Sequence, residues 1–364
     1  MKTLKVTLDG QASRSHEIHV GTEILDRAGM IVAMQRWARQ YFLVTDENVA
    51  ALHGERVRAA LQKAGLAVET IAVTPGEASK SIPALLSLTD RLTALGADRQ
   101  SGLIALGGGV VGDLAGFAAA IYMRGIPVIQ VPTTLMAQVD SSIGGKTGVD
   151  TLAGKNLLGA FHQPRAVFID VAFLRTLPDA MLRSGWAEVI KYGAVDSPEL
   201  LDDLEAAAAG GSLRETLFLE RIVALSCRIK KQFVESDERD RGIRRILNFG
   251  HTVGHAVEAA SGYGLSHGES VAIGMTAACR LSRKLHGLPA GDAARIEALI
   301  RACGLPDRLP AGMGPEEVRS RLTADKKREG GAIHYVLIKK MGMPFMNGGV
   351  PAGTLRETLE ELKS

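Results

Sequence analysis

Late in the chain, Asn248-Phe249-Gly250-His251-Thr252-Val253-Gly254-His255 sets two imidazoles four residues apart, and His267 follows in His267-Gly268-Glu269 after a glycine-rich turn. Residues four apart on a helix share a face. Glu188 stands earlier, in the helical run Ala187-Glu188-Val189-Ile190-Lys191 with apolar neighbours. One carboxylate and two imidazoles drawn from different helices are how catalytic zinc is often held, with a position left open for substrate. Position 252 is threonine, so the zinc-protease pattern with glutamate after the first histidine is unsupported. Residue chemistry leaves two imidazole pairs open, His251 with His255 or His251 with His267. Basic groups surround this set: Lys191, Lys230, Arg244 and the pair Lys326-Lys327. Cations near a metal suit an anionic substrate.

A second constellation lies in the first half. The strand-like run 102–106 passes into Gly107-Gly108-Gly109-Val110-Val111-Gly112-Asp113 and then an apolar helical stretch. Glycines at 107, 109 and 112 fit a diphosphate turn, in which bare backbone approaches the anion at a helix N-terminus. The acid expected about 20 residues further on for a ribose is absent. An acid does follow an earlier strand, at Asp46, so the turn reads as a variant of the usual dinucleotide scheme. After the strand ending at Val131-Pro132 come Thr133-Thr134 and a polar stretch, 137–162, containing Asp140, Lys146 and Lys155-Asn156. The sequence predicts a long structureless loop there, of the kind that is more often functional than not. Its lysines, flanked by glycine, can reach a phosphate or carboxylate as point charges.

Both constellations need a scaffold. Up to about residue 174, strand-like runs (5–8, 17–20, 41–45, 68–73, 102–106, 126–131, 166–169) alternate with helical patterns such as 55–64 and 82–95. That alternation predicts a parallel sheet covered on both faces, with ligands beyond the carboxyl ends of the strands. Beyond it, long helical stretches dominate (179–192, 198–208, 213–235, 250–261, 269–285, 293–303), with one strand-like run at 333–338. The expected fold is an α/β domain over 1–175 and an all-α domain over 176–364. The chain has 364 residues, 46% hydrophobic and 23% charged, which excludes a disordered or collagen-like chain. A net charge of +3 and only 4% aromatics argue against a nucleic-acid partner. Three widely spaced cysteines make neither a disulfide framework nor a cysteine zinc site. With no apolar leader and no long apolar run, the expectation is a soluble cytoplasmic protein that does not engage a membrane.

Taken together, these segments resemble the 3-dehydroquinate synthase family. The stretches that carry the resemblance are PGEASK (75–80), GGGVVGDLAGFAAAIYMRG (107–125), PTTLMAQVDSSIGGKTG (132–148), GKNLLGAFHQP (154–164), LRTLP (174–178), AEVIKYG (187–193), DERDRGIRRILNFGHTVGHAVE (237–258), HGESVAIGM (267–275) and DKK (325–327). The resemblance implies a dehydroquinate synthase-like fold, with an α/β N-terminal Rossmann-like NAD domain followed by a helical metal- and substrate-binding domain. It also implies a reaction, 3-deoxy-D-arabino-heptulosonate 7-phosphate to 3-dehydroquinate plus phosphate, within the shikimate pathway. It places a zinc or cobalt ion on Glu188, His251 and His267, and His255 among the substrate contacts. The implied NAD contacts are Asp46, Asn48, Glu77, Lys80, Gly109, Asp113, Thr133, Thr134, Lys146, Lys155 and Thr176. The implied substrate contacts are Arg124, Asp140, Lys146, Asn156, Lys191, Lys230, Arg244, Asn248, His255 and a lysine of the Lys326-Lys327 pair. A homodimer is implied, with Arg124 reaching the neighbouring subunit's site.

The sequence departs from the family pattern at Asp240, where glutamate is common, at Asp150, where asparagine is common, and over 179–185. Related sugar-phosphate cyclases share the scaffold but differ around the GGKT and HTxGH segments, which here read DSSIGGKTG and HTVGH. Two other readings use the same residues: a metal- and NAD-dependent polyol dehydrogenase, which would release NADH, and a non-catalytic nucleotide-binding protein.

Overall fold

The structure is a computed structural model that describes residues 1–8, 15–328 and 333–363, without the side chains of 324–328. In chain order the elements begin with β1 (Lys2–Val6), β2 (His16–Gly21), α1 (Leu25–Gln35), β3 (Gln40–Asp46), α2 (Glu47–Val49), α3 (Glu55–Lys63) and β4 (Val68–Val73). Next come α4 (Ile82–Ala94), β5 (Ser101–Gly107), α5 (Gly109–Ile121), β6 (Val128–Pro132), β7 (Lys146–Thr151), β8 (Gly154–Phe161) and β9 (Ala166–Asp170). The remainder is α6 (Asp179–Val195), α7 (Pro198–Gly210), α8 (Thr216–Ser236), α9 (His251–Ala260), α10 (His267–His286), α11 (Ala290–Ala302), α12 (Pro315–Arg328), β10 (Tyr335–Ile338), β11 (Pro344–Asn347) and α13 (Ala352–Glu361). The backbone forms two compact units, 1–178 with 219–239, and 179–218 with 240–364.

In the first unit a seven-stranded sheet runs in the order β1-β2-β9-β6-β5-β3-β4, parallel except for the β1–β2 hairpin. Side chains alternate across each strand, and both faces are apolar. Phe42, Val44, Leu103 and Ala105 pack with α4 and α5, while Tyr41, Leu43, Ile104 and Leu106 pack with α1 and α3. A sheet buried on both sides needs near-continuous apolar strands, which is how Ser101–Gly107 reads. After β4 the chain crosses back over β3 to form β5, so the strand order reverses between β3 and β5. Ligand crevices form at such a reversal, and here Asp46 ends β3 and the glycine turn ends β5.

One expectation is corrected. The stretch 137–162 is not a structureless loop. It forms a π-helical turn, Ala137–Ser141, and the antiparallel hairpin β7–β8. Glycine hid the strand pattern: a Cβ at Gly159 would lie 2.2 Å from the Thr147 carbonyl oxygen, so the two strands approach closely only without side chains there. The second half is helical as expected, and the strand-like run expected at 333–338 is β10, which pairs with β11 over Tyr335–Ile338 and Pro344–Asn347. Within the half expected to be the second domain, 219–239 groups with the first unit. Its side chains explain this: Thr22 donates to Glu220 at 2.9 Å, Cys227 Sγ donates to the Gln138 carbonyl at 3.3 Å, and Lys230 pairs with Asp140.

The second unit centres on α10, buried along most of its length. A capping box starts that helix: Glu269 N donates to Ser266 Oγ and Ser266 N donates to Glu269 Oε2. The box fixes His267 as the first helical residue. Helix α9 lies against α10 through glycine, because a Cβ at Gly274 would fall 1.9 Å from the Gly250 carbonyl oxygen. No described helix is long and apolar enough to cross a membrane.

Candidate metal centre and nucleotide turn

Glu188 lies on α6 at 1% exposure. Its Oε1 stands 3.2 Å from His267 Nε2 and 3.5 Å from His251 Nε2, and its Oε2 is paired with the Lys191 ammonium one turn along the same helix. One ligand atom from each of Glu188, His251 and His267 falls within 4.8 Å of the others. His251 Nδ1 faces the Phe249 carbonyl at 3.3 Å. A carbonyl only accepts, so Nδ1 carries the proton and Nε2 keeps its lone pair for the carboxylate side. The donor set therefore fits a divalent cation: one acid, one imidazole nitrogen of assigned tautomer, and a second imidazole directed at the same oxygen.

Electrostatics agree with this geometry. Burial alone would raise Glu188, but Lys191 and His251 hold its carboxyl well below the usual range. Burial lowers His251. Partial burial also works to lower His267, yet its interactions with Glu188 and Glu258 prevail and raise it to about 9. The cluster without an ion is thus a carboxylate neutralised by cations, the charge arrangement a metal would replace.

Of the two imidazole pairs left open, His251 with His267 is the one whose Nε2 atoms both face Glu188 Oε1. His255 does not join Glu188. It belongs to a second grouping, with Glu258 and His267, whose ligand atoms also fall within 4.8 Å. The three imidazole rings lie close, at 5.3 Å for His251–His255 and 5.2 Å for His251–His267. Glu258 is the residue that sequence reasoning passed over. Its signal was present, since it follows His255 by three and so shares that helix face.

In the first unit, Gly108 is the N-cap of α5 and no side chain caps the helix. A Cβ at Gly108 would meet Thr134 Cγ2 at 3.0 Å, and one at Gly109 would meet Ser141 Oγ at 3.1 Å. The free first-turn amides and the bare backbone suit a diphosphate. Thr133 Oγ1 is buried with no hydrogen-bond partner among the described residues. An orphaned hydroxyl at the end of β6, beside this turn, fits a polar ligand.

The remaining candidates divide by environment. Lys80 pairs with Asp113 at 2.5 Å, Lys155 with Glu77 at 3.5 Å, and Lys230 with Asp140 at 2.8 Å. Burial raises Asp113 to about 6 despite its lysine. Asp46 caps α2 by accepting from Val49 N, with Asn48 exposed in the next turn. Thr176 donates to the Phe173 carbonyl and accepts from His53 Nε2 at 2.8 Å. Arg244 is buried on the turn Ile243–Asn248, whereas Asn248, Arg124, Lys146 and Asn156 are exposed. Lys326 and Lys327 lie on the backbone of α12, with side chains outside the described residues.

Two of the three departures are accommodated. Asp150 accepts from Asn156 N at 2.8 Å, a bond the oxygen of an asparagine could equally accept, and it steadies Asn156 at a positive φ of 56°. Asp240 sits at φ 55°, a region where a short polar side chain is better tolerated than glutamate.

Residues 70–184 match the family described as 3-dehydroquinate synthase N-terminal, and residues 185–328 match 3-dehydroquinate synthase C-terminal. A 3-dehydroquinate synthase of Symbiobacterium thermophilum is 47% identical over 350 residues, covering 96% of this chain and 98% of that protein. Among solved structures, 2-deoxy-scyllo-inosose synthase complexed with carbaglucose-6-phosphate, NAD+ and Co2+ aligns at TM-score 0.89 and 26% identity, over 99% of this chain and 100% of that one. The 2-epi-5-epi-valiolone synthase of Streptomyces hygroscopicus subsp. jinggangensis, with NAD+ and Zn2+ bound, aligns at TM-score 0.88 and 28% identity, over 98% and 99%.

Proposed function

The chain belongs to the 3-dehydroquinate synthase family, and from that premise we propose that it converts 3-deoxy-D-arabino-heptulosonate 7-phosphate to 3-dehydroquinate and phosphate. It is an enzyme, a phosphate-eliminating lyase, that works with NAD and a divalent metal. The observation that carries the reading is the meeting of Glu188 Oε1 with the Nε2 atoms of His251 and His267, beside the buried cation of Lys191.

When bound, the metal supplies Lewis-acid polarisation of a substrate hydroxyl, and NAD supplies a reversible hydride acceptor. Glu188, His251 and His267 would hold the ion. The glycine turn with Gly109, Thr133 and Thr134 would hold the nucleotide, supported by Asp46, Asn48, Glu77, Lys80, Asp113, Lys146, Lys155 and Thr176. Oxidation of the hydroxyl acidifies the neighbouring C–H, and phosphate then leaves by elimination. The departing phosphate can take that proton itself, so the protein's task is to hold an anion and steady developing charge. Lys191, Lys230, Arg244 and Arg124 provide the positive charge, joined by a lysine of the Lys326-Lys327 pair. Asp140, through its bond to Lys230, fixes where that ammonium points. Asn156, Asn248 and His255 offer hydrogen bonds to substrate hydroxyls. Ring opening and aldol closure would then complete the carbocycle, with NAD required only in catalytic amount.

We further propose a cytoplasmic homodimer. Three buried free cysteines suit a reducing compartment. The exposed apolar side chains of Ile121 and Met123 precede Arg124, which itself stands at φ 69°, and such side chains suit an interface.

The test is to supply the heptulosonate phosphate with catalytic NAD. Phosphate should be released with no net change at the NADH absorbance band. A chelator should abolish release, and zinc or cobalt should restore it. Stoichiometric NADH would show a dehydrogenase instead.

A further inference from the structure

Helix α9 carries more than a ligand and a substrate contact. His251, His255 and Glu258 stand at i, i+4 and i+7, so one face of a single helix presents all three. Glu258 is 5% exposed. A carboxylate that deeply placed requires a partner of opposite charge or a strong donor. Its Oε2 lies 3.8 Å from His267 Nδ1, on the far side of the imidazole from Glu188. His267 is therefore held between two acids, Nε2 toward Glu188 and Nδ1 toward Glu258.

We propose that Glu258 is a positioning residue for the metal, orienting His267 from behind through its Nδ1–H. This rests on the reading of Glu188, His251 and His267 as the metal ligands. An imidazole that ligates through Nε2 must carry its proton on Nδ1, and a carboxylate there fixes the tautomer and ring angle and raises ligand basicity. His251 obtains the same service from a different group, the Phe249 carbonyl. The two ligating imidazoles thus have unequal supports, one neutral and one anionic. His267 needs the stronger one: its side chain is 36% exposed, against 13% for His251, so less packing restrains its ring.

The second grouping, His255 with Glu258 and His267, has an alternative use as a separate cation site, and the experiment separates the two. Cobalt(II) is titrated into the full-length chain against a competing chelator, with its visible absorption recorded, for wild type, Glu258→Gln and His251→Ala. Glu258→Gln should bind cobalt(II) about 10–100-fold more weakly, the usual loss for a support of this kind. Its visible band should shift, while NAD affinity stays unchanged. Wild type should bind one equivalent per chain. Wild-type affinity and spectrum in Glu258→Gln would overturn the proposal. So would a second equivalent in wild type that Glu258→Gln loses. Should Glu258→Gln not fold, Glu258→Asp, which keeps the charge and shortens the reach, carries the same comparison. Undiminished cobalt(II) binding by His251→Ala would overturn the ligand reading itself, a different result from failure of the Glu258 arm alone.

Discussion

Lys191 and Glu188 show how much one buried pair can decide. Both are almost fully enclosed, at 2% and 1% exposure, and the ammonium occupies the carboxylate oxygen that does not face the imidazoles. A cation beside a metal ligand repels the ion, yet it attracts an anionic substrate. Replacing Lys191 by methionine should therefore leave cobalt(II) affinity equal or tighter while kcat/KM falls by about 10²–10³, the scale of losing one charge-stabilising donor. Equal losses in both quantities would show that Lys191 only supports the fold. Asp113 is a second residue with a measurable signature. Its carboxyl is raised to about 6 by burial, Lys80 notwithstanding. A folded value above the unfolded one means that its contribution to stability is complete below about pH 4 and lost as pH rises through 6. Urea unfolding from pH 4 to 7 should thus show wild type losing about 2–3 kcal/mol that Asp113→Asn does not. The residues behind these effects were visible in the sequence as types and spacings. Their partners were not, because Lys80 and Asp113, or Asp140 and Lys230, meet only through long-range folding.

The elements explain which parts of the site were legible beforehand. Strand β5 and the glycine turn announced themselves, since a run of buried residues ending in Gly107-Gly108-Gly109 has few other solutions. The hairpin β7–β8 did not, because its glycines and lysines carry no alternating apolar pattern; its buried residues are the consecutive Thr147, Gly148 and Val149. The choice between His255 and His267 was equally unreadable from spacing. It depends on how α9 lies on α10, and glycine sets that approach. A Cβ at Gly274 would meet the Gly250 carbonyl oxygen and the Gly254 amide nitrogen at 1.9 and 2.7 Å, backbone atoms that have no rotamer to yield. Gly274→Ala should therefore destabilise the chain by about 1–3 kcal/mol or more. Because the same contact sets His251 against His267, metal affinity should fall as well. Thermal unfolding with and without zinc measures both: the variant should melt earlier and gain less from the ion than wild type does. An unchanged melting temperature would show that α9 can shift without cost.

At the scale of the whole molecule, the question is whether one chain suffices. Arg124 is exposed at a left-handed backbone position, on a short turn that follows the exposed Ile121. A non-glycine residue at positive φ carries strain that a fold keeps where the side chain has a task. If Arg124 serves the partner subunit's site, two inactive variants should rescue each other. In a mixed dimer of Arg124→Ala with His251→Ala, one site receives both lesions and the other receives none. Random pairing makes half the dimers mixed, so co-expression should restore about one quarter of wild-type activity, following the dimer symmetry argument. Purifying the mixed dimer through two tags should raise this to about one half, each dimer keeping one intact site. If Arg124 serves its own chain's site, every site in the mixture carries one lesion and no activity returns. A monomer by light scattering would give the same absence of rescue, so the two measurements together tell a monomer from a dimer whose subunits work alone.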